Sequence, residues 1–240
     1  MQQNRKKRKQ NKILIILSVI MIMVVVKLFF PFFSYENAST ILISSTEQDD
    51  SLTIVLDAGH GGYDSGSVSL EGVYEKNITL GLVLLIGDYL EEEGINVVYT
   101  RTSDDVEWES DNLIDLQSRV QIAEDVQADY FISIHLNSSE DGNDIRGYET
   151  YVDLNEASTV SMAENIHSQL SDLDYSMDRG LKDAYDSSLY VICKNSIPSL
   201  LLELGFMSNA QDMNYILSNP EELAQAVAKG IIMSIAQESI

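Results

Sequence analysis

The sequence TIVLDAGHGG, residues 53–62, contains a short β-branched apolar run that ends in a histidine set among glycines. Such a run predicts a buried strand, and the glycines after it predict a tight loop with close backbone approach. A polar residue interrupts two further apolar runs: His135 within YFISIHL (residues 130–136) and Glu203 within LLLELGF (residues 200–206). An ionised carboxylate buried without a partner is costly, so Glu203 needs a nearby cation or a proton. Two histidines and a glutamate at the ends of apolar strands therefore suggest a metal site.

The composition favours a folded domain with a strongly acidic surface. The 240 residues allow one domain with appendages, and an apolar content of 45% is enough for a core. Residues 1–33 hold seven of the fifteen Lys and Arg and no acid, which leaves eight bases against all 38 acids and a net charge of −30. Such a surface repels nucleic acid and disfavours a nucleic-acid-binding function. The single cysteine, Cys193, excludes an intramolecular disulfide.

The N-terminal region has the pattern of a membrane anchor. Residues 1–12 are basic, and residues 13–33 are apolar apart from Ser18 and Lys27. A helix of this length spans about 32 Å, roughly the thickness of a bilayer core. We expect a basic cytoplasmic segment at 1–12 and a transmembrane signal-anchor at 13–33, with the acidic domain outside the cell. A cleaved signal peptide and a secreted protein are the alternative. Residues 34–51, rich in Ser, Thr and acids, are interpreted as a linker.

Residues 52–240 alternate strand patterns with helical periodicity and are interpreted as one catalytic domain. Strands are predicted at residues 53–58, 96–100, 130–136, 147–152, 188–192 and 199–205. Four helices are predicted from periodicity. Ile78, Leu82, Leu85 and Tyr89 share one face of the first, and Leu113, Leu116, Val120 and Ala123 share one face of the second. The third covers residues 156–170, and the last begins at Pro220. The alternation predicts an α/β fold with a mostly parallel or mixed central sheet of about six strands and helices on both faces. In such sheets ligands bind beyond the carboxyl ends of the strands, where His60, His135 and Glu203 lie.

Zinc is the metal that these residue types suggest. Catalytic zinc takes three protein ligands, drawn from histidine and carboxylate, and keeps a fourth position for water. His60 and His135 supply two nitrogen ligands, and Glu71, Glu75 and Glu203 compete for the third position. A carboxylate that is not a ligand would act as the general base. Asp57 is a candidate to orient one of the imidazoles.

Several segments resemble, in the same order, the zinc-dependent N-acetylmuramoyl-L-alanine amidases, whose catalytic domain is called amidase type 3. The resemblance covers residues about 53–235, and its segments are residues 54–62, 75–77, 100–101, Leu116 with Arg119, 128–137, 178–182 and 198–209. It implies that His60, Glu75 and His135 bind Zn²⁺ and that Glu203 is the catalytic carboxylate. It thereby favours Glu75 over Glu71, which spacing alone left open.

The resemblance also implies an activity, namely hydrolysis of the amide bond between the lactyl group of N-acetylmuramic acid and L-alanine in bacterial peptidoglycan. An anchored chain without a wall-binding repeat is similar to sporulation-type members such as spore-cortex amidases. A zinc peptidase acting on the stem peptide and a non-catalytic wall-binding protein remain the alternatives. We expect the protein to be a monomer that contacts peptidoglycan and the membrane. A protein that activates the enzyme is a further candidate partner. Candidates for substrate binding, each of which also fits a structural role, are Asn137, Arg179, Lys182 and Asn209.

Overall fold

The computed structural model describes residues 52–106, 108 and 110–238. The basic segment, the transmembrane anchor and the linker that the sequence predicts at residues 1–51 lie outside these residues. Among the residues that are described, none belongs to a helix with both the length and the apolar character needed to cross a membrane.

Six strands form a single mixed sheet, as the sequence predicts. Its strands lie in the order β2-β1-β3-β6-β4-β5. β4 pairs antiparallel with β6, and every other neighbouring pair is parallel. The strands are β1 (Thr53–Ala58), β2 (Asn96–Tyr99), β3 (Tyr130–Asn137), β4 (Tyr148–Val152), β5 (Asp178–Asp183) and β6 (Ser199–Phe206).

Helices cover both faces of the sheet, but unequally. The helices are α1 (Glu75–Glu92), α2 (Asn112–Asp125), α3 (Ala157–Asp172), α4 (Tyr190–Cys193), α5 (Ala210–Ser218) and α6 (Pro220–Glu238). The large apolar cluster on one face joins strand residues such as Ile132 to α1, α3, α5 and α6. On the other face, Val55, Phe131 and Leu201 pack against α2, the four-residue α4 and the loop residues Ala128 and Ala184. Polar side chains at the carboxyl ends of β3 and β6 emerge on this thinly covered face.

One predicted strand is wrong, and one real strand escapes the sequence pattern. Residues 188–192 do not form a strand, because Ser188 has a φ of +53° that breaks the extended chain. The amide of Cys193 then bonds to the carbonyl of Leu189 at 2.8 Å and closes the turn of α4. The sixth strand is β5, whose sequence DRGLKD contains one apolar residue. As an edge strand it needs little apolar character, so periodicity does not reveal it.

Candidate metal centre

The loop after β1 presents His60 in a strained but firmly held conformation. His60 has a φ of +62°, a region that costs a non-glycine residue on the order of 1–3 kcal/mol. The backbone is fixed because Arg119 Nη2 donates to the carbonyl of His60 at 2.7 Å. Its imidazole Nδ1 bonds to Asp64 Oδ2 at 2.7 Å, and its Nε2 lies 3.1 Å from Glu75 Oε1. The bond to Asp64 leaves Nε2 as the nitrogen available to a metal.

Glu75, the first residue of α1, stands between the two histidines. It is 2% exposed, and its Oε1 lies 3.1 Å from His135 Nδ1 and accepts the amide hydrogen of Leu136 at 3.0 Å. Its Oε2 accepts from the amide of Ser67 at 2.9 Å. The two imidazole rings meet edge to face with centroids 4.8 Å apart. Three elements, the β1 loop, α1 and β3, thus deliver one ligand-type side chain each.

These three side chains form a set that fits zinc. One ligand atom from each of His60, Glu75 and His135 lies within 4.8 Å of the others, and two imidazoles with one carboxylate are a donor set of catalytic zinc. Burial lowers the pKa of His60, but the bonds and charges of Glu75 and Asp64 outweigh it and raise that pKa to about 9. Burial also opposes ionisation of Glu75, yet the two imidazoles hold the pKa of its carboxyl well below its usual range. The centre therefore attracts positive charge, which a divalent cation would supply in place of protons.

Glu71, the competing carboxylate, lies outside this cluster. It is exposed, and its Oε2 accepts a hydrogen bond from Ser69 Oγ at 3.1 Å. The geometry thus agrees with the choice of Glu75 that the family resemblance implied.

Glu203 lies beside the cluster on the neighbouring strand. In the sheet register it is directly opposite His135 on one side and Glu149 on the other. Its Oε2 is buried, and no described residue offers that atom a hydrogen bond. Burial and the negative charges of Glu75 and Glu149 raise the pKa of Glu203 to about 8. A buried carboxylate with an unpartnered oxygen and a raised pKa has the properties expected of a general base or acid.

Two glycines are required because side chains of the centre pack against their α-carbons. A Cβ at Gly59 would overlap the His135 ring. A Cβ at Gly66, whose φ is +62°, would lie 2.6 Å from His60 Cδ2 and 2.7 Å from Glu75 Oε2. The glycine-rich loop therefore serves close packing around the ligands as well as its own turn geometry.

A buried ion pair between Asp57 of β1 and Arg119 of α2 stabilises the backbone next to the centre. Asp57, 1% exposed, receives hydrogen bonds from Arg119 Nη1 and Ser133 Oγ, both at 2.6 Å, and from Thr100 Oγ1 at 2.7 Å. Burial alone would raise the pKa of its carboxyl. The Arg119 charge and the two hydroxyl groups outweigh that effect, so the pKa is lowered and the group stays ionised. Asp57 thus anchors the Arg119 guanidinium, and the hypothesis that Asp57 orients an imidazole is wrong. Asp64 does this for His60.

The four candidate substrate residues fall into two groups. Asn209 caps α5, because its Oδ1 accepts from the amides of Gln211 and Asp212 and its Nδ2 donates to the carbonyl of Asn143. The other three lie around Glu149. Asn137 Nδ2 donates to Glu149 Oε1 at 2.9 Å, Arg179 Nε donates to Glu149 Oε2 at 2.8 Å, and Lys182 Nζ donates to the carbonyl of Arg179 at 2.9 Å.

Sequence reasoning missed Asp64 and Glu149. The spacing of four residues between His60 and Asp64 was the available signal, but the loop between them contains glycines at φ +130° and +55° that spacing does not reveal. Glu149 lies in the strand sequence YETYV, where alternation indicates an ordinary outward-facing residue.

An apolar cavity of about 350 Å³ opens on the side of the centre next to α2 and α4. His60 and His135 are among its lining residues. The others include Tyr63, Leu116, Leu189 and Tyr190 as well as the charged Asp64, Asp115 and Arg119. The centre thus has an apolar side at this cavity. Its other side, beyond Glu203, is polar and is formed by Glu149 and its hydrogen-bond partners.

Comparisons with known proteins agree with this geometry. The amidase type 3 family model, described as N-acetylmuramoyl-L-alanine amidase, matches residues 54–233. The uncharacterized protein YqiI of Bacillus subtilis (strain 168) is 38% identical over 193 residues, which are 80% of this chain and 86% of that relative. The sporulation-specific N-acetylmuramoyl-L-alanine amidase of the same organism is 33% identical over 184 residues, which are 74% of this chain and 66% of that relative.

Solved structures of amidases share the fold. N-acetylmuramoyl-L-alanine amidase AmiC2 of Nostoc punctiforme has a TM-score of 0.68 and 34% identity, covering 77% of this chain and 97% of that chain. The CwlD amidase from Clostridioides difficile, solved in complex with the GerS lipoprotein, has a TM-score of 0.69 and 27% identity. That match covers 78% of this chain and 100% of CwlD.

Proposed function

The chain belongs to the N-acetylmuramoyl-L-alanine amidase family, and we propose that it is a zinc-dependent enzyme that cleaves the amide between the lactyl group of N-acetylmuramic acid and L-alanine. One observation carries the zinc part of the proposal. His60, Glu75 and His135 converge to within 4.8 Å, and Glu203 stands beside them with an unpartnered buried oxygen. Burying these ionisable groups together costs stability, and a non-catalytic scaffold would gain nothing that offsets that cost.

The residues of the chain divide the reaction between them. Zinc, when held by His60, Glu75 and His135, would polarise the amide carbonyl and lower the pKa of a water molecule. Glu203 accepts a proton as the water oxygen forms its bond to the lactyl carbon. It then returns the proton to the alanine nitrogen as the carbon–nitrogen bond breaks. The products are a lactyl carboxylate on the glycan and a stem peptide with a free amino terminus.

We extend the proposal to the location and partners of the enzyme. The apolar segment at residues 13–33 would anchor the chain in the bacterial membrane with the catalytic domain outside, where peptidoglycan lies; a cleaved signal and secretion are the alternative. The similarity to a sporulation-specific amidase supports a role in spore formation. The solved complex of CwlD with a lipoprotein supports an activating protein partner for an otherwise monomeric enzyme.

The test is product analysis with defined muropeptides. The full-length chain in detergent, loaded with zinc, should release the intact stem peptide, and a chelator should abolish the release. Mass spectrometry identifies the bond that is cut. Cleavage between amino acids of the stem would instead establish the zinc peptidase alternative, and unchanged substrate would favour the wall-binding alternative. The matched control is Glu203→Gln, which should retain zinc but lose activity.

A further inference from the structure

A small patch of three basic side chains, Arg146, Arg179 and Lys182, lies at the β4 and β5 side of the metal centre. Residues 34–240 contain eight Lys and Arg against 38 acids, yet three of these bases are joined in this patch. Arg179 Nη1 donates to the carbonyl of Arg146 at 3.4 Å, and Lys182 Nζ donates to the carbonyl of Arg179 at 2.9 Å. Glu149, Asp178 and Asp183 lie among these bases, so binding of an anionic ligand here depends on a donor atom that these acids leave free.

Arg179 is held in a fixed orientation at the centre of this patch. Its Nε is bonded to Glu149 Oε2, and its guanidinium lies 5.0 Å from the centroid of the Phe206 ring. The aliphatic part of the side chain packs on Gly147, where an added Cβ would lie 2.7 Å from Arg179 Cγ. The side chain is still 32% exposed, and no acceptor for Nη2 occurs among the described residues. The result is a preorganised guanidinium whose edge at Nη2 has no partner in the described part of the chain, a geometry suited to one charge-assisted hydrogen bond to a carboxylate oxygen.

The sheet register sets the distance from the reacting bond to this edge. His135, Glu203 and Glu149 are directly opposite one another on β3, β6 and β4. Neighbouring strands lie about 4.8 Å apart, so Glu149 and the guanidinium bound to it are about 10 Å from the His135 position. Two extended residues span about 7 Å, and a charge-assisted hydrogen bond adds about 2.8 Å. The edge of Arg179 is therefore within reach of a carboxylate on the second residue of a peptide whose amino-terminal amide lies at the centre.

We propose that Arg179 is a specificity residue that binds the free α-carboxylate of the second residue of the stem peptide. The inference rests on the proposed function and fixes which end of the substrate lies on which side of the metal centre. The peptide crosses Glu203 toward β4 and β5, and the sugar lies toward the apolar cavity beside α2 and α4. Binding of this kind requires a substrate whose second stem residue carries a free carboxyl group, and amidation of that group would remove the charge that Arg179 binds. An amide carries no charge and cannot form the same bond with a guanidinium.

The experiment compares two zinc-loaded reactions that differ only in the substrate. Disaccharide-peptides carrying either a free or an amidated α-carboxyl on the second residue are given to the full-length chain, and kcat/KM is measured for each. The unmodified enzyme should prefer the free carboxylate by about 10- to 100-fold, the range of a charge-assisted hydrogen bond. Arg179→Gln should remove this preference, because kcat/KM for the free-carboxylate substrate should fall by more than kcat/KM for the amidated one. Any general loss that acts through Glu149 and Glu203 should affect both substrates equally. Lys229→Gln, the same charge change at an exposed position of α6, should leave the preference intact.

A second variant separates recognition from folding, because Arg179→Gln leaves Glu149 without its ion-pair partner. The double variant Arg179→Gln/Glu149→Gln removes both charges and should also show no preference. Equal rates for the two substrates with the unmodified enzyme would overturn this inference alone, as would an equal loss on both substrates in the two variants. No cleavage of either substrate would overturn the proposed function and the inference with it.

Discussion

Replacing Glu203 by glutamine should have opposite effects on activity and on stability. The substitution keeps the size of the side chain but removes the group that accepts and returns the proton. General acid–base catalysis typically contributes 10²- to 10⁴-fold, so hydrolysis should fall by about that factor. The metal-free protein should at the same time become more stable, because Glu203 holds a buried oxygen without a partner beside two other carboxylates.

The size of the stability gain follows from the pKa of Glu203. Burial and the charges of Glu75 and Glu149 raise it from the ordinary 4.5 to about 8. Between these values the folded protein retains a proton that the unfolded chain has released. Its free energy of unfolding therefore falls as the pH rises. Each pKa unit corresponds to about 1.4 kcal/mol, so at pH 7 the penalty is about 3 kcal/mol. Glutamine does not titrate, and the variant should gain roughly that amount.

The assay is urea denaturation in the presence of a chelator, followed from pH 5 to pH 8. The difference between the variant and the unmodified protein should be small at pH 5 and should grow up to about pH 8. Glu164→Gln is the matched control, because Glu164 is exposed on α3 and the same change there should give no pH-dependent gain. If the stability gain of Glu203→Gln over the unmodified protein were no larger at pH 8 than at pH 5, Glu203 would not be the unpartnered carboxylate of raised pKa described above.

Three further predictions concern the groups that hold the centre together. Asp64→Ala removes the hydrogen bond that fixes the His60 imidazole and should weaken zinc binding by about 10- to 100-fold, measured by competition with a chromogenic chelator. Gly59→Ala places a methyl group inside the His135 ring and should abolish stoichiometric zinc binding, while Gly81→Ala, at a position with open space around it, should bind normally. Arg119→Met leaves buried aspartates without their cation and should lower the free energy of unfolding by about 3–5 kcal/mol in urea denaturation; a loss below 1 kcal/mol would contradict the support role.

The sequence predicts the parts of this molecule that are local and periodic. Apolar strands ending in His60, His135 and Glu203 were enough to place these residues at one edge of a sheet, because the carboxyl ends of parallel strands meet there. The choice of the third candidate ligand needed more than spacing, since Glu71 and Glu75 both follow the β1 loop. The family resemblance favoured Glu75, and the burial of Glu75 at the start of α1 agrees with it.

Contacts made across the sheet or through unusual backbone angles could not be predicted. Asp57 was interpreted as a partner of an imidazole because it precedes His60 on β1. The structure turns it toward Arg119 of α2, a residue 62 positions away. Glu149 is equally hidden, because its importance comes from the antiparallel pairing of β4 with β6 that places it opposite Glu203. Neither the register nor this pairing has a signature in the periodicity of the strand YETYV.

The charges around the centre point to a divalent cation more strongly than the ligand types alone do. Glu75, Glu203 and Glu149 place three carboxylates on adjoining elements, and Arg179 supplies one compensating charge through its bond to Glu149. Two negative charges then remain, apart from that of Asp64, which is bonded to the far nitrogen of His60. In the metal-free protein, a proton taken up by His60, whose pKa rises to about 9, and one retained by Glu203, whose pKa rises to about 8, reduce this excess. A cation of charge two offsets the same excess without those protons. It frees the His60 nitrogen to act as a ligand and allows Glu203 to ionise, which is the state that a proton acceptor requires.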